Sequence, residues 1–519
     1  MRSQVIPFER YSGLNPLFLA FLRKRPPFYP DLPTLEAATA RARELLGRPA
    51  RLSASAFRYR GAEAAKMAEA LSSGRAIAVL TGHQVGLFTG PLYTLVKAFD
   101  AIRVAREITA RGVPAVPVFY ALTDDHDLEE IAKTARPAEE GPQVLVLEGA
   151  DRGNRRPVGE LPIPERVREI LAAFEEDAKA PGAREILGAF GRRSAPGSSY
   201  GEAFLETLLD LVDEPLLLLD PTGKEARKAA GEFFREAAAR REEIERALIE
   251  GEKTLRREGF TVPAPHRPGV FPFFLVEKGE RRRVDDIDRA LKLVASGEAW
   301  VSADVLTRPV LKSFLLPAAA SILGPAEIAY HAQSLPLFTI FGLRPPVLLP
   351  RSHVVLVGPA ERRAAQALGI ETADLLAGRA DPPPPLPEGG RLDEIARDAD
   401  AELAALEEGV KAIDPTLTGA LETTRRKISY QIGQLREKME KAVERKDEVT
   451  ARRRRLLETR IRPAGSAADR LYPPLVPLLA RGREVLAAIR EGATGSDEGV
   501  AVIDLAPTPE GTEEVVHAG

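Results

Sequence analysis

Short apolar runs alternate with amphipathic stretches through the first 390 residues, with prolines and glycines marking the breaks. Ala76-Ile-Ala-Val-Leu80 is a continuous apolar run of strand length and predicts a buried strand, followed by a loop rich in Gly and Thr. Pro91 suits a first helical position, where its missing N–H costs nothing. Leu92, Leu95, Val96, Phe99 and Ile102 recur at helical spacing and predict an amphipathic helix from residue 91 to about 110. Val116-Pro-Val-Phe-Tyr120 supplies the next strand. The unit is strand–loop–helix–strand, which calls for parallel strands and a right-handed crossover.

Similar units follow. Phe204 to Val212 reads as helix, and Leu216 to Leu219 before Asp220-Pro221 as a fully buried strand. Val347 to Leu349 and Val354 to Val357 add strand-like runs on either side of the polar Arg351, after a helical stretch from Ala326 to Phe341. This alternation predicts an α/β doubly wound parallel sheet. Residues 140–200 and 222–300 are more charged and less regular, which places them as insertions in a core spanning 1–380.

Asp381-Pro-Pro-Pro-Pro-Leu-Pro-Glu388 then forms a stiff linker, 381–390. Beyond it Leu392, Ala396, Ala399, Leu403, Leu406, Val410 and Ile413 step by three and four, and Asp414-Pro415 is a cap-and-first-turn signature. Leu421, Ile428, Leu435, Ala442, Val449 and Leu456 recur every seven residues, with Arg425, Lys446 and Arg453 among the companion seam positions. From Pro415 to Arg462 one helix would run about 70 Å at 1.5 Å per residue. A helical coiled-coil hairpin over 391–465 is expected, closed within one subunit or by a second. Residues 466–519 read as short helices and a last strand, Val500 to Leu505, returning to the sheet.

The chain has 519 residues and no cysteine, which excludes disulfides, thiolate metal sites and a cysteine nucleophile. Its 73 basic and 76 acidic residues leave a net charge of −3, with no global attraction to nucleic acid or acidic membranes. The amino terminus lacks a signal-like apolar stretch, and the uncharged segment of 16 residues after Glu327 is too short and interrupted to span a bilayer. A cytoplasmic protein is expected. HExxH, GxSxG and zinc-type clusters are absent, so no metal site is expected from spacing.

Three stretches could carry chemistry. In Thr81-Gly-His-Gln-Val-Gly-Leu-Phe-Thr-Gly-Pro-Leu-Tyr93, a loop with Gly82, Gly86 and Gly90 between strand and helix could bring backbone N–H groups to a phosphate or carboxylate. Thr81, His83 and Gln84 would stand at its mouth; the plainer alternative is a tight turn. The stretch matches neither GxGxxG nor the P-loop. Asp124-Asp-His-Asp127 follows a predicted strand, so Asp125, His126 and Asp127 could hold a divalent cation, orient an amine or ribose, or supply a base, or else Asp125 or Asp127 could cap a helix. Glu327, Tyr330 and His331 would share a helix face near Arg308, and Arg351 would end a strand, poised for a carboxylate or phosphate.

Together these stretches resemble the bacillithiol biosynthesis cysteine-adding enzyme family. The resemblance rests on Thr81 to Tyr93, Asp125-His-Asp127, Arg308-Pro309, Gly324 to Tyr330, Gln333, Pro350-Arg351, Asp414 to Leu417 and Thr424 to Ile428, and it runs from the amino terminus to about residue 490. It implies a Rossmann-like core with connecting insertions, a coiled coil associated with homodimers, and a ligase joining the cysteine carboxyl to the amine of glucosaminyl malate. Many members carry Gln where this chain has His83, which weakens an obligatory acid role there. No KMSKS-like lysine loop is present, which counts against an adenylation step of the tRNA-synthetase type.

Amide formation requires an activated carboxylate, most simply through ATP or another nucleotide, with Mg²⁺ as its optional companion. On this scheme the loop Thr81–Gly90 would stabilise developing charge. Asp125, His126 or Asp127 would bind and deprotonate the amine, Arg351 or Arg308 would hold a carboxylate, and Glu327, Tyr330 and Gln333 would line the pocket. Two rival readings are a synthetase-like or nucleotidyltransferase enzyme acting on another small molecule or on RNA, and a non-catalytic coiled-coil scaffold.

Overall fold

A computed structural model describes residues 3–11, 13–23, 28–147, 155–379, 389–444, 448–493 and 499–505. At its centre is a six-stranded sheet in the order Val347–Pro350, Ala318–Leu323, Ile77–Gln84, Ala115–Leu122, Leu217–Leu219, Phe57–Arg58. Neighbours are parallel except at the last pair, where Phe57–Arg58 runs antiparallel. Both faces are covered. Ile77 and Val79 pack with the helix Tyr93–Ala110, while Ala78 and Leu80 pack under Phe233 and Phe314. Burial on both sides explains why these strands read as unbroken apolar runs rather than alternating ones. The fold is the expected Rossmann-like α/β sheet with a C-terminal helical region.

Several elements differ from the sequence reading. The strand expected to stop at Leu80 continues to Gln84, paired in register with Ala115–Leu122 through His83 opposite Ala121 and Gln84 opposite Leu122. Thr81 and Gly82 are therefore strand residues, and the loop begins only at Val85. The helix starts at Tyr93, two residues past Pro91, and is buried around most of its circumference, with Lys97 and Asp100 among its buried side chains. An amphipathic helix was expected because its apolar positions are helically spaced; of the polar residues between them, Lys97 meets Glu327 and the Gly82 carbonyl, and Asp100 accepts from Ser352.

The last strand does not return to the central sheet. Gly499–Asp504 lies between Ser3–Pro7 and His353–Val357 in a separate three-stranded sheet, so the run Val354–Val357 also leaves the core sheet. Apolar content alone could not choose between two sheets. In the stretch between the core strands, Lys133–Ala138 and Gly141–Val146 form a hairpin, and Phe273–Glu277, Glu280–Arg283 and Ala299–Ala303 form a small antiparallel sheet.

In the helical region, Gly389–Ala405 packs antiparallel on Thr418–Glu444 within one chain. Arg425 reaches Asp400 at 2.8 Å, and Arg436 bonds Asp393, so a polar seam position is paired across the hairpin. The first helix is interrupted at Leu406 and resumes as Glu407–Ile413. Glu448–Ile461 turns back to pack on Pro359–Leu368, burying Leu457 and Ile461. The proline-rich run 381–388, the joint 445–447 of the expected long helix, and the tail beyond 505 lie outside the described residues. No helix of the described residues is long and apolar enough to cross a membrane.

Candidate active site

The chain leaves the strand Ile77–Gln84 toward one edge of the sheet and the strand Ala318–Leu323 toward the other, so the connections diverge between these neighbours. Open α/β sheets bind ligands at the carboxyl ends of the strands at such a switch point. A cavity of about 330 Å³ opens there, walled by His83, Gln84, Leu122, Leu323, Gly324 and Arg351 from strand ends. The helix Pro325–Ile340 begins at this wall through Pro325, Ala326 and Glu327, so its positive dipole end faces the cavity.

The walls are cationic. Lys97, Arg308, Lys312, Arg351 and Arg470 line the cavity against two carboxylates, Glu130 and Glu327. Lys97 is buried, with Nζ 2.5 Å from Glu327 Oε2 and 2.9 Å from the Gly82 carbonyl. Glu327 Oε2 also accepts the Gly324 N–H at 2.7 Å. Burial, opposed by Glu327 and aided by Arg351, pulls the Lys97 ammonium below its ordinary value. Lys312 sits 4.7 Å over the Tyr120 ring, and burial brings it down to about 8.

Arg351 donates from Nη1 to Asp469 Oδ2 at 2.8 Å and to the Ser352 carbonyl at 2.7 Å, with its guanidinium 4.4 Å over the Tyr93 ring. Its Nη2, Gln84 Nε2 and Arg308 Nε are buried donors without a hydrogen-bond partner among the described residues. Buried donors of this kind cost stability unless something accepts from them, and all three side chains line the cavity. An anionic oxygen is the acceptor they fit.

His83 faces the Tyr93 hydroxyl at 3.3 Å. Burial first, then the charges of Lys97 and Arg351, push its imidazole well below the ordinary range, so it is neutral. Burial lifts Tyr93 to about 12 and keeps the hydroxyl protonated. His331 is likewise brought down by burial, to about 3. The site thus offers neutral histidines among fixed cations.

The expected site residues divide into three groups. His83, Gln84, Arg308, Glu327, Tyr330 and Arg351 do converge on this one cavity, although the first and last are far apart in sequence. Asp125 stands just behind the wall: its carboxylate lies 3.7 Å from Arg308 and 3.3 Å from Arg281. Burial alone would raise its pKa, but the hydrogen bond from His126 and the charges of Arg308 and Arg281 hold it well below the carboxylate range. Such a carboxylate is a poor base. His126 Nδ1 contacts Arg281 at 2.6 Å, and Asp127 accepts the Glu130 N–H as the cap of Leu128–Ile131. The cap alternative therefore describes Asp127, and the triplet does not itself line the cavity.

The third group is structural. Thr81 donates to the Ile322 carbonyl at 3.1 Å and clamps two strands. Gly82 faces the neighbouring strand so closely that a Cβ would lie 2.3 Å from the Tyr120 carbonyl oxygen. Gly86 and Gly90 approach one another, a Cβ on Gly86 standing 3.0 Å from Gly90 Cα. Gln333 is fully buried and donates to the Ala264 carbonyl at 2.7 Å, away from the cavity. The loop after Gln84, expected to cradle an anion, does not line this cavity. Gly90 N–H is bonded to Leu87, Leu92 N–H to the Tyr472 carbonyl at 2.7 Å, and Thr94 N–H to Pro91. The anion-facing helix start is instead the one at Pro325.

Tyr93, Lys97, Glu130, Lys312 and Arg470 were not singled out from sequence. Lys97 and Lys312 carried a weak signal, a lysine inside an otherwise apolar helical repeat; Arg470 carried none. Among the described residues no three His, Asp or Glu side chains are grouped as metal ligands. The cationic lining of the cavity fits phosphate or carboxylate groups.

Residues 8–352 match the family description "Bacillithiol biosynthesis BshC, N-terminal Rossmann-like domain", and residues 391–505 match "Bacillithiol biosynthesis BshC, C-terminal coiled-coil domain". Similar curated proteins bear the name "Putative cysteine ligase BshC". That of Solibacter usitatus is 29% identical, covering 87% of this chain and 89% of the relative. That of Koribacter versatilis is 28% identical over 76% and 78% of the two chains, and that of Geobacillus thermodenitrificans 27% over 76% and 78%.

Proposed function

The chain belongs to the BshC family of bacillithiol biosynthesis, and on that premise we propose that its cavity joins the carboxyl group of cysteine to the amine of glucosaminyl malate. The observation that carries this reading is the concentration of five cationic side chains and a helix N-terminus around one small cavity at the strand ends. Malate carboxylates, the cysteine carboxylate and an activating phosphate are all anions, and such a wall stabilises each of them.

A bound nucleotide, ATP in the simplest case, would supply the phosphoryl or adenylyl group that lets one carboxylate oxygen depart with phosphate or AMP when the amine attacks the acyl carbon. The chain's own residues do the rest. Arg351, Lys97 and the Pro325 helix start hold anionic oxygens at one side of the cavity, and Arg308 and Lys312 do so at another. Arg308 is fixed by the Ala303 carbonyl at 3.1 Å and by Asp125 behind it. Asp125 thus positions a cation rather than binding the amine. The amine role passes to Glu130, the cavity carboxylate with no ion-pair partner among the described residues. Its pKa is raised above the ordinary glutamate value, by burial first and then by Asp127 and Asp125, which strengthens it as a proton acceptor. Neutral His83 and protonated Tyr93 orient substrate oxygens without adding charge.

A cytoplasmic homodimer completes the proposal. The hairpin closes within the chain yet leaves Tyr430 and Leu435 exposed for a second copy. The test supplies purified protein with cysteine, glucosaminyl malate and ATP and looks for bacillithiol by mass spectrometry. Product is expected; none under varied nucleotides and metals would overturn the reading.

A further inference from the structure

We propose that the turn at residues 467–472, which lies beyond the helical hairpin, is a working part of the cavity. In this assignment Arg470 contacts a substrate carboxylate, and Asp469 is a positioning residue acting through Arg351. The inference rests on the reading that the cavity is the ligase site.

Arg351 comes from the strand end after Val347–Pro350, and Asp469 from the short helix Ala468–Arg470. The pair is enclosed, with side chains 2% and 0% exposed. A buried guanidinium needs a partner charge. Asp469 satisfies one terminal nitrogen of Arg351 and leaves Nη2 without a partner in a side chain that lines the cavity. A purely structural ion pair would not require the next residue, Arg470, to be exposed on the cavity wall, yet it is.

The same turn is stitched to the parts that carry the other cavity groups. Its Tyr472 carbonyl accepts the Leu92 N–H at 2.7 Å, fixing the start of the helix that bears Tyr93 and Lys97. Ala467 N–H donates to the Tyr11 hydroxyl at 2.8 Å. The Rossmann-like part by itself would lack one cavity cation and the counterion of another. The ligand class is a carboxylate, which a planar guanidinium can bind through two parallel N–H groups.

The test uses the full chain and glucosaminyl malate in calorimetric titrations and steady-state kinetics, with Lys312→Ala as a control for the cavity itself. Arg470→Ala is expected to weaken binding and raise KM about tenfold or more, with kcat and melting temperature little changed, and Arg470→Lys to recover only part of the loss, since an ammonium lacks the planar pair of N–H groups. Asp469→Asn should likewise raise KM more than it lowers kcat. If that variant fails to fold, the two Arg470 variants decide. Wild-type binding by Arg470→Ala alongside weakened binding by Lys312→Ala would overturn the inference and leave the cavity reading standing. Unchanged binding in both would remove the two together. A folded Asp469→Asn protein with wild-type KM would end its positioning role.

Discussion

Lys97 and Glu327 lie 230 residues apart in the chain, and their Nζ and Oε2 atoms meet at 2.5 Å at the edge of the cavity. The contact ties the helix that follows one central strand to the helix that follows its neighbour, across the point where the connections diverge. It also keeps two charges at the site in a fixed place before any substrate arrives.

Breaking that pair should cost stability as well as activity. Glu327→Gln leaves the buried Lys97 ammonium without a counter-charge, and a loss of roughly 3 kcal/mol is expected, the low end for a broken buried pair because Glu327 is partly solvated. Denaturant unfolding measures it. Adding Lys97→Met to the same chain should recover part of the loss, since no uncompensated charge then remains.

Lys312 gives the site a pH dependence. Its folded-state pKa of about 8 lies below the ordinary lysine value because burial disfavours the charged form. The unfolded chain, with a lysine pKa of about 10.4, therefore binds more protons between these values, and stability should rise with pH across that window. Anion binding runs the other way. KM for glucosaminyl malate is expected to climb above about pH 8 as Lys312 loses its charge. Lys312→Arg should flatten that rise in a KM-against-pH series.

Glu130 and Asp127 are three residues apart and should behave differently. Glu130→Gln removes the proton acceptor, and kcat is expected to fall by about a hundredfold or more. Asp127→Asn keeps an acceptor for the helix N-terminus, where Asn is as good as Asp, but removes a charge that helps raise Glu130, so a fall in kcat much smaller than that of Glu130→Gln is expected from the same assay.

Asp125→Asn should show its effect through acid stability. The folded-state carboxyl is held below its unfolded value, so its contribution is present above about pH 3.9 and is lost as pH falls through the folded value. The variant should be less stable than wild type at pH 7, and the difference should narrow on acidification, as followed by thermal melts from pH 7 downward.

Gly82→Ala tests the strand assignment directly. A Cβ there would stand 2.3 Å from the Tyr120 carbonyl oxygen, backbone that cannot move without parting two central strands. A loss of roughly 1–3 kcal/mol or more is expected from overpacking of this kind. A loop glycine at that position would tolerate alanine, so an unchanged melting temperature would contradict the strand.

Much of the α/β core was legible because its strands are buried on both faces, which forces unbroken apolar runs such as Ala76 to Leu80. The glycines after it were legible as special positions but misleading in role. Gly82 is required by a neighbouring carbonyl and Gly86 by Gly90, and neither lines the cavity. Close packing and ligand approach both demand the missing Cβ, and one sequence cannot separate them. Asp125 and Asp127 illustrate the same limit. A short acidic run is compatible with a base, a counterion or a cap, and only the positions of Arg308, Arg281 and the Glu130 N–H distinguish them.

By itself the sequence determined the kind of sheet, the excluded chemistries and the family, since these depend on local periodicity, composition and motifs carried along the chain. The tertiary structure alone decided which charges share a cavity. Arg351 and Asp469 are 118 residues apart, and Leu92 is capped by a carbonyl from Tyr472. Such pairings follow from how the C-terminal segment folds back over the strand ends, where enclosure from water makes each buried charge depend on a partner that no local pattern specifies.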